Sequence, residues 1–166
     1  MERMNSEAVE ELAKVDVSAD ERIAVDDLLC FALYAASRTV TAAYRPLLQE
    51  FGLTYPQYLV MVALWERTSV PVKDLGDALQ LDYGTLTPLL KRLETAGLIT
   101  RQRRADDERS VQVGLTAEGQ ALREATRGVH TAIGDAMALP EDKMDQLRSL
   151  LRELTNNVSA RVAGER

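Results

Sequence analysis

Residues 72–116 read VKDLGDALQLDYGTLTPLLKRLETAGLITRQRRADDERSVQVGLT, and the apolar period in this stretch changes once, at Gly97. Before the glycine, Leu75 and Leu79 recur at helical spacing in 72–80. Leu86, Leu89, Leu90 and Leu93 do the same in 83–96, which predicts two short helices in tandem. Gly97 suits the residue just past a helix end. Pro88 admits two readings: Thr87 caps a helix that starts at Pro88, or the helix starts earlier and the proline bends it. After Gly97 the period is two. Leu98–Arg103 and Val111–Leu115 then read as paired strands, with the charged residues 104–110 as an exposed tip.

Working outward, Ser18 or Asp20 can cap a long helix to about Leu48, carrying Val25, Leu28, Leu29, Leu33, Ala36 and Val40. Pro46 is expected to distort or end it. Pro56 fits the first position of a second helix, about 55–67, that is apolar on most sides and so buried. Pro71 punctuates the chain. Thr116 can cap a long helix over 117–137 with Leu122, Ala125, Val129 and Ile133 on one face. Pro140 opens a last helix, with Glu141 and Asp142 in its first turn and a stripe of Met144, Leu147, Leu150, Leu151, Leu154 and Val158. The class is mainly α with a small β-hairpin wing. The organisation is an acidic arm (1–20), a helix that carries the cysteine (21–50), a helix–helix–hairpin lobe (51–116) and C-terminal helices (117–166), the second and last of these being the dimerisation helices that the resemblance given below implies.

Composition narrows the function. No apolar run reaches the roughly 20 residues that span a bilayer, so no membrane partner is expected. The acidic N-terminus has no apolar core of an export signal. One cysteine in 166 residues rules out an internal disulfide and fits a reducing cytoplasm. Net charge is −6, which taken alone argues against a polyanion partner. Residues 1–29 hold all of that excess, with 3 basic and 9 acidic side chains, whereas residues 30–166 hold 17 of each. Lys91, Arg92, Arg101, Arg103 and Arg104 face a single acid, Glu94, between 91 and 104. Local potential, not the total, decides where a polyanion docks.

Two short helices and a basic hairpin follow the order of a winged helix-turn-helix. A helix fits the major groove and offers side chains to base edges. A wing tip can place arginine against phosphates or in the minor groove, where negative potential concentrates. Tyr83, Thr85, Thr87, Lys91 and Arg92 on the second helix, with Arg103, Arg104, Asp107 and Arg109 around the wing, are the candidate DNA contacts. The bland alternative is an ordinary charged surface and a solvated loop ion pair between Asp107 and Arg109.

Cys30 sits in Leu28-Leu29-Cys30-Phe31-Ala32-Leu33-Tyr34. Its plain reading is a small buried hydrophobe. Against that, Tyr34 follows one helical turn later on the same face. Tyr44 returns to nearly the same face about 21 Å along the axis. One straight helix cannot bring Tyr44 to Cys30, but an antiparallel second copy can. Phenol protons donated to sulfur favour the thiolate, the form that attacks a peroxide. Ordinary amphipathic packing is the alternative for Tyr34, Tyr44 and Tyr55.

Asp107-Glu108-Arg109-Ser110-Val111-Gln112-Val113-Gly114-Leu115-Thr116 resembles the wing signature of the MarR family: D-x-R, five residues, then L-T. The stretches LCFALYAASR (29–38), YRPLL (44–48), LTYPQY (53–58) and LDYGTLTPLLKRLE (81–94) resemble the organic hydroperoxide resistance regulators within it. The resemblance covers about residues 25–155 and does not reach the acidic arm. It implies a MarR-like homodimeric repressor of an operator with dyad symmetry. It places the reactive cysteine at Cys30, the tyrosines at Tyr34, Tyr44 and Tyr55, and Asp107 as the residue that holds Arg109. Many relatives are expected to have serine where Tyr83 stands. The signal would be an organic hydroperoxide. With no second cysteine, oxidised Cys30 would pair with an outside, low-molecular-weight thiol, form a sulfenamide or oxidise further.

Two other functions remain. One is a MarR-type repressor that senses a small aromatic acid non-covalently. The other is a one-cysteine thiol peroxidase, which would need a base near the sulfur, and the one histidine, His130, is a hundred residues away. No cofactor or metal is expected: paired-cysteine spacings, phosphate-binding glycine loops and a Ser/His/Asp set are absent from the sequence.

Overall fold

The computed structural model describes residues 24–67, 69–103 and 111–164. Tyr34–Ala136 form one compact unit, and the described residues up to Leu33 and from Met137 group as a second. The elements are α1 (Leu29–Gln49), α2 (Tyr55–Glu66), β1 (Ser69–Pro71), α3 (Val72–Leu79), α4 (Tyr83–Thr95), β2 (Ile99–Arg103), β3 (Val111–Leu115), α5 (Ala117–Ala125), α6 (Arg127–Met137) and α7 (Glu141–Gly164). This is the expected mainly helical chain with a β-hairpin wing.

Its starts and stops follow local chemistry. The first helix begins at Leu29, later than expected, after a 3-10 turn at Val25–Asp27 and an extended Leu28. The expected caps, Ser18 and Asp20, lie outside the described residues. Pro46 does not end α1, which runs on to Gln49. A proline here removes one backbone bond near the helix end. Burial of Tyr44 and Leu48 on either side holds the helix through it. At the start of α2, Gln57 Oε1 accepts from both the backbone N–H and the hydroxyl of Thr54, each at 2.9 Å. Pro56 is therefore the second helical residue, where the missing N–H has no intrahelical partner in any case.

Pro88 lies inside α4, which resolves its two readings in favour of the earlier start. Asp82 is the N-cap, its carboxylate accepting from the Thr85 backbone N–H at 2.8 Å. Leu86, Leu90 and Leu93 are almost completely buried. At the far end Gly97 adopts φ +73, with Gly97 N–H donating to Glu94 O and Leu98 N–H to Leu93 O, both at 3.0 Å. These are the two bonds of a Schellman ending, which needs a left-handed residue that glycine supplies without strain.

The sheet has three strands, order β1-β3-β2, where two were expected. β3 pairs antiparallel with both neighbours, and Val113 at its centre faces Val70 and Arg101. The missed strand has three residues, and its Pro71 ends a strand as readily as it marks a loop.

The expected long helix over 117–137 is two helices. At Thr126 the backbone N–H and the hydroxyl both donate to the Leu122 carbonyl at 3.0 Å. Such back-bonding competes with the regular ladder and turns the chain. Thr126 is buried as a result, and Ala125, expected inward, is exposed. The apolar stripe of α7 is present but uncovered: Leu147, Leu150, Leu151 and Val158 are all exposed.

The 34–136 unit closes around Gly119. A side-chain carbon there would run into the Leu98 backbone carbonyl. That carbonyl accepts from Thr116 N–H at 3.1 Å, and the Thr116 hydroxyl both donates to Gly97 O at 2.6 Å and accepts from Gly119 N–H at 3.0 Å. The Trp65 indole of α2 donates to Gly119 O at 2.9 Å. Gly119→Ala should therefore destabilise this unit by about 1–3 kcal/mol, the usual cost of overpacking against atoms that cannot move aside. Urea unfolding followed by Trp65 fluorescence checks it; an unchanged midpoint would mean that α5 does not need this approach.

Candidate functional site

The candidate DNA contacts fall on two elements. Tyr83, Thr85, Thr87, Lys91 and Arg92 belong to α4, and Arg103 ends β2. All are exposed except Thr87, which is half-buried. Arg104, Asp107 and Arg109 lie outside the described residues. α4 and the hairpin are tied by an ion pair not anticipated from the sequence, Arg101 Nε to Glu94 Oε2 at 2.9 Å. Asp82 was also missed as part of the site, although an aspartate three residues before Thr85 is itself a cap signal. The Thr85 backbone N–H, and then its hydroxyl, hold the Asp82 carboxyl below its ordinary range. An ionised carboxylate at a helix N-terminus is also favoured by the helix dipole.

The aromatic residues form a second grouping. Tyr44 of α1 and Tyr55 of α2 have ring centroids 4.5 Å apart, inclined by 40°. Tyr58 joins them 6.0 Å from Tyr44, and Trp65 stands edge-on to Tyr58 at 6.1 Å. Tyr58 was read from the sequence only as part of a buried apolar run. Burial, helped by neighbouring phenols, raises the Tyr44 pKa above its ordinary value. Burial alone does so for Tyr55, and burial followed by Tyr55 does so for Tyr58. All three are thus held as neutral O–H donors. Tyr44 and Tyr58 also line an open cleft of about 730 Å³ shared with Trp65, Arg123, Arg127 and His130.

Tyr34 is not part of the stack. It is exposed, its hydroxyl accepts from Arg38 Nη1 at 2.9 Å, and the guanidinium lies 5.5 Å from its ring centroid. Cys30, one turn earlier on α1, is a free and exposed thiol, not the buried hydrophobe of the plain reading. Among the described residues no cluster of His, Cys, Asp or Glu could hold a metal, and no helix is long and apolar enough to cross a membrane.

The raised tyrosine values give a pH dependence. The folded chain keeps phenol protons that the unfolded chain releases near pH 10, so stability falls as pH rises through that range. Urea midpoints measured from about pH 8 to pH 11 should decline, and Tyr55→Phe should make the decline shallower. An equally steep decline in the variant would remove Tyr55 from this linkage.

A family model described as the transcriptional regulator SarA/Rot matches residues 42–125. The chain is 46% identical over 135 residues to the organic hydroperoxide resistance transcriptional regulator of Bacillus subtilis (strain 168), covering 81% of this chain and 91% of that protein. Among solved structures, reduced AbfR bound to DNA is 38% identical with a TM-score of 0.67, over 78% of this chain and 91% of that one. AbfR is a Staphylococcus epidermidis protein. The PcaV transcriptional regulator of Streptomyces coelicolor, 19% identical over 82% of this chain and 98% of that one, shares the fold with a TM-score of 0.76. The chain belongs to the MarR-type winged-helix transcriptional regulators, in the group of the organic hydroperoxide resistance regulators.

Proposed function

We propose that the protein is a homodimeric DNA-binding repressor that senses organic hydroperoxides through Cys30. The observation that carries this reading is the Tyr44–Tyr55 stack: adjoining phenols kept neutral, in a chain whose single cysteine is exposed. The 46% relative is named for organic hydroperoxide resistance, and AbfR is described in a reduced, DNA-bound form. All the relatives compared are regulators by name, which favours a regulator over a peroxidase. The wing contacts assigned to Arg104, Asp107 and Arg109, and the domain boundaries above, belong to this proposal.

Dimerisation follows from what a single copy leaves uncovered. Leu28, Leu29 and Phe31 at the start of α1 are exposed, as are five large aliphatic side chains along α7. Apolar patches on this scale mark interfaces. An antiparallel pair of α1 helices brings Cys30 of one copy to Tyr44 and Tyr55 of the other. In the reduced dimer, each α4 enters a major groove of successive turns, about 34 Å apart.

The chemistry is a two-electron oxidation. The Cys30 thiolate attacks the outer peroxide oxygen, the O–O bond breaks, and the alkoxide takes a proton and leaves as alcohol. Sulfur is left as a sulfenic acid, which a low-molecular-weight thiol converts to a mixed disulfide with loss of water. Bulk added at the seam of two chains moves the lobes off a spacing that the duplex fixes.

The reduced protein should select a duplex with dyad symmetry from a random pool. On that duplex, stoichiometric cumene hydroperoxide should weaken binding about tenfold or more, within the usual range of allosteric coupling. Cys30→Ser should bind and ignore the peroxide. Fluorescence anisotropy and intact mass on the same sample check both points, and release persisting in the variant would refute the sensor role. Leu150→Glu should give monomers by sedimentation and weaken operator binding, because a charge cannot be buried in an apolar seam without a partner. A dimer unaffected by that change would place the interface elsewhere.

A further inference from the structure

Apart from the Tyr83 phenol, side-chain hydrogen-bond donors are scarce on the first turn and a half of α4. The Thr85 hydroxyl donates to the Asp82 carboxylate at 2.9 Å, and the Thr87 hydroxyl donates to the Tyr83 carbonyl at 2.7 Å. A threonine hydroxyl has one proton, so each oxygen offers only lone pairs to anything outside, beside its methyl group. Gly84 has no side chain. Pro88 brings no N–H, so the Gly84 carbonyl lacks its usual donor four residues on. The cations Lys91 and Arg92 enter only in the third turn.

One large group dominates this donor-poor end. Tyr83, the first residue of α4, is 71% exposed, more than Tyr34, whereas Tyr44, Tyr55 and Tyr58 of the same unit are buried or half-buried. A lone exposed aromatic on an ordinary surface asks for no explanation. At the start of a recognition helix it stands where base edges are contacted. In the major groove guanine offers only acceptors, N7 and O6, which the two threonines have no free proton to satisfy, so that the Tyr83 phenol is the one side-chain donor on this turn and a half. An A·T pair offers the N6 amino donor of adenine and the 5-methyl of thymine, which match both properties of the surface.

Resting on the repressor reading above, we propose that Tyr83 is a specificity-determining residue whose ring packs on the 5-methyl group of a thymine in each operator half-site. The flanking threonine oxygens and the Gly84 carbonyl accept from amino groups of the neighbouring bases. Lys91 and Arg92, farther along the helix, serve the phosphates.

The test uses the full chain and the duplex selected from the random pool. Thymines in one half-site are replaced one at a time by deoxyuridine, which removes the methyl and nothing else. Wild-type affinity should drop about fourfold at one position, the factor for burying a single methyl-sized group. Replacement in both half-sites should multiply the effect to about sixteenfold, as distant sites add in free energy. Tyr83→Ser should abolish the difference between thymine and deoxyuridine at that position, and Tyr83→Phe should keep it, because the ring makes the contact. Indifference of the wild type to every replacement overturns the assignment. So does a methyl effect that survives in Tyr83→Ser, or one lost in Tyr83→Phe, which would make the hydroxyl the reader. If the reduced protein binds no duplex, the repressor reading fails and this proposal with it; if it binds without methyl sensitivity, only the role of Tyr83 fails.

Discussion

The geometry of the winged lobe depends on one close approach, the start of α5 against the Leu98 carbonyl, which only a glycine at position 119 permits. Around this point four elements share hydrogen bonds. Thr116 caps α5 and bonds Gly97 at the end of α4, Leu98 leads into β2, and Trp65 reaches in from α2. The Glu94–Arg101 ion pair adds a second tie between α4 and β2. It is partly exposed and so contributes little by itself. Its geometric effect is the important one, since it fixes the base of the hairpin to the helix that precedes it. In the dimer proposed above, a signal generated elsewhere would act by changing the distance between two lobes tied together in this way.

In the redox-sensing reading proposed above, the aromatic stack would act as a set of donors to the sulfur. A thiolate in contact with neutral O–H groups is stabilised by hydrogen bonding to its charged form. Phenols that are themselves held above their ordinary pKa remain donors throughout the physiological range. They neither compete for the negative charge nor act as a base to turn the reaction over. His130 lines the cleft beside Tyr44 and Trp65, together with Arg123 and Arg127. With one cysteine in the sequence, the proposed sensor has no resolving partner in its own chain.

Much of the fold was legible because its cues are local. The period change at Gly97, the leucine spacing of α3 and α4, and the Thr116 cap each act within a few residues; the first two gave their elements and the cap gave the start of α5. The errors arose where a longer-range term decided. Pro46 was expected to distort or end its helix and Pro88 was left between two readings, yet each costs one backbone bond, and the burial of Leu48, Leu86 and Leu90 outweighs that loss. Thr126 broke a helix that periodicity made continuous, because a threonine hydroxyl can compete for the Leu122 carbonyl. β1 is too short to show a period at all. Of the candidate site, the resemblance named Tyr34, Tyr44 and Tyr55 together, and the structure stacks Tyr44 against Tyr55 and leaves Tyr34 apart. Tyr58 was hidden inside an apolar run, and the Arg38 contact to Tyr34 left no pattern in the sequence.

The charge distribution bears on how such a protein finds its operator. The acidic excess lies before residue 30, and the rest of the chain is neutral. Of the described cations near α4, Arg101 is already paired with Glu94, which leaves Lys91, Arg92 and Arg103 exposed without a described partner. Non-specific affinity for DNA grows with the number of phosphates neutralised. In the repressor proposed above, Arg104 and Arg109 of the wing add to these cations, and affinity for an operator comes from phosphates, base edges and two half-sites engaged at once. Binding of that kind depends on the spacing between lobes, which is where a displacement at the proposed sensor seam would act.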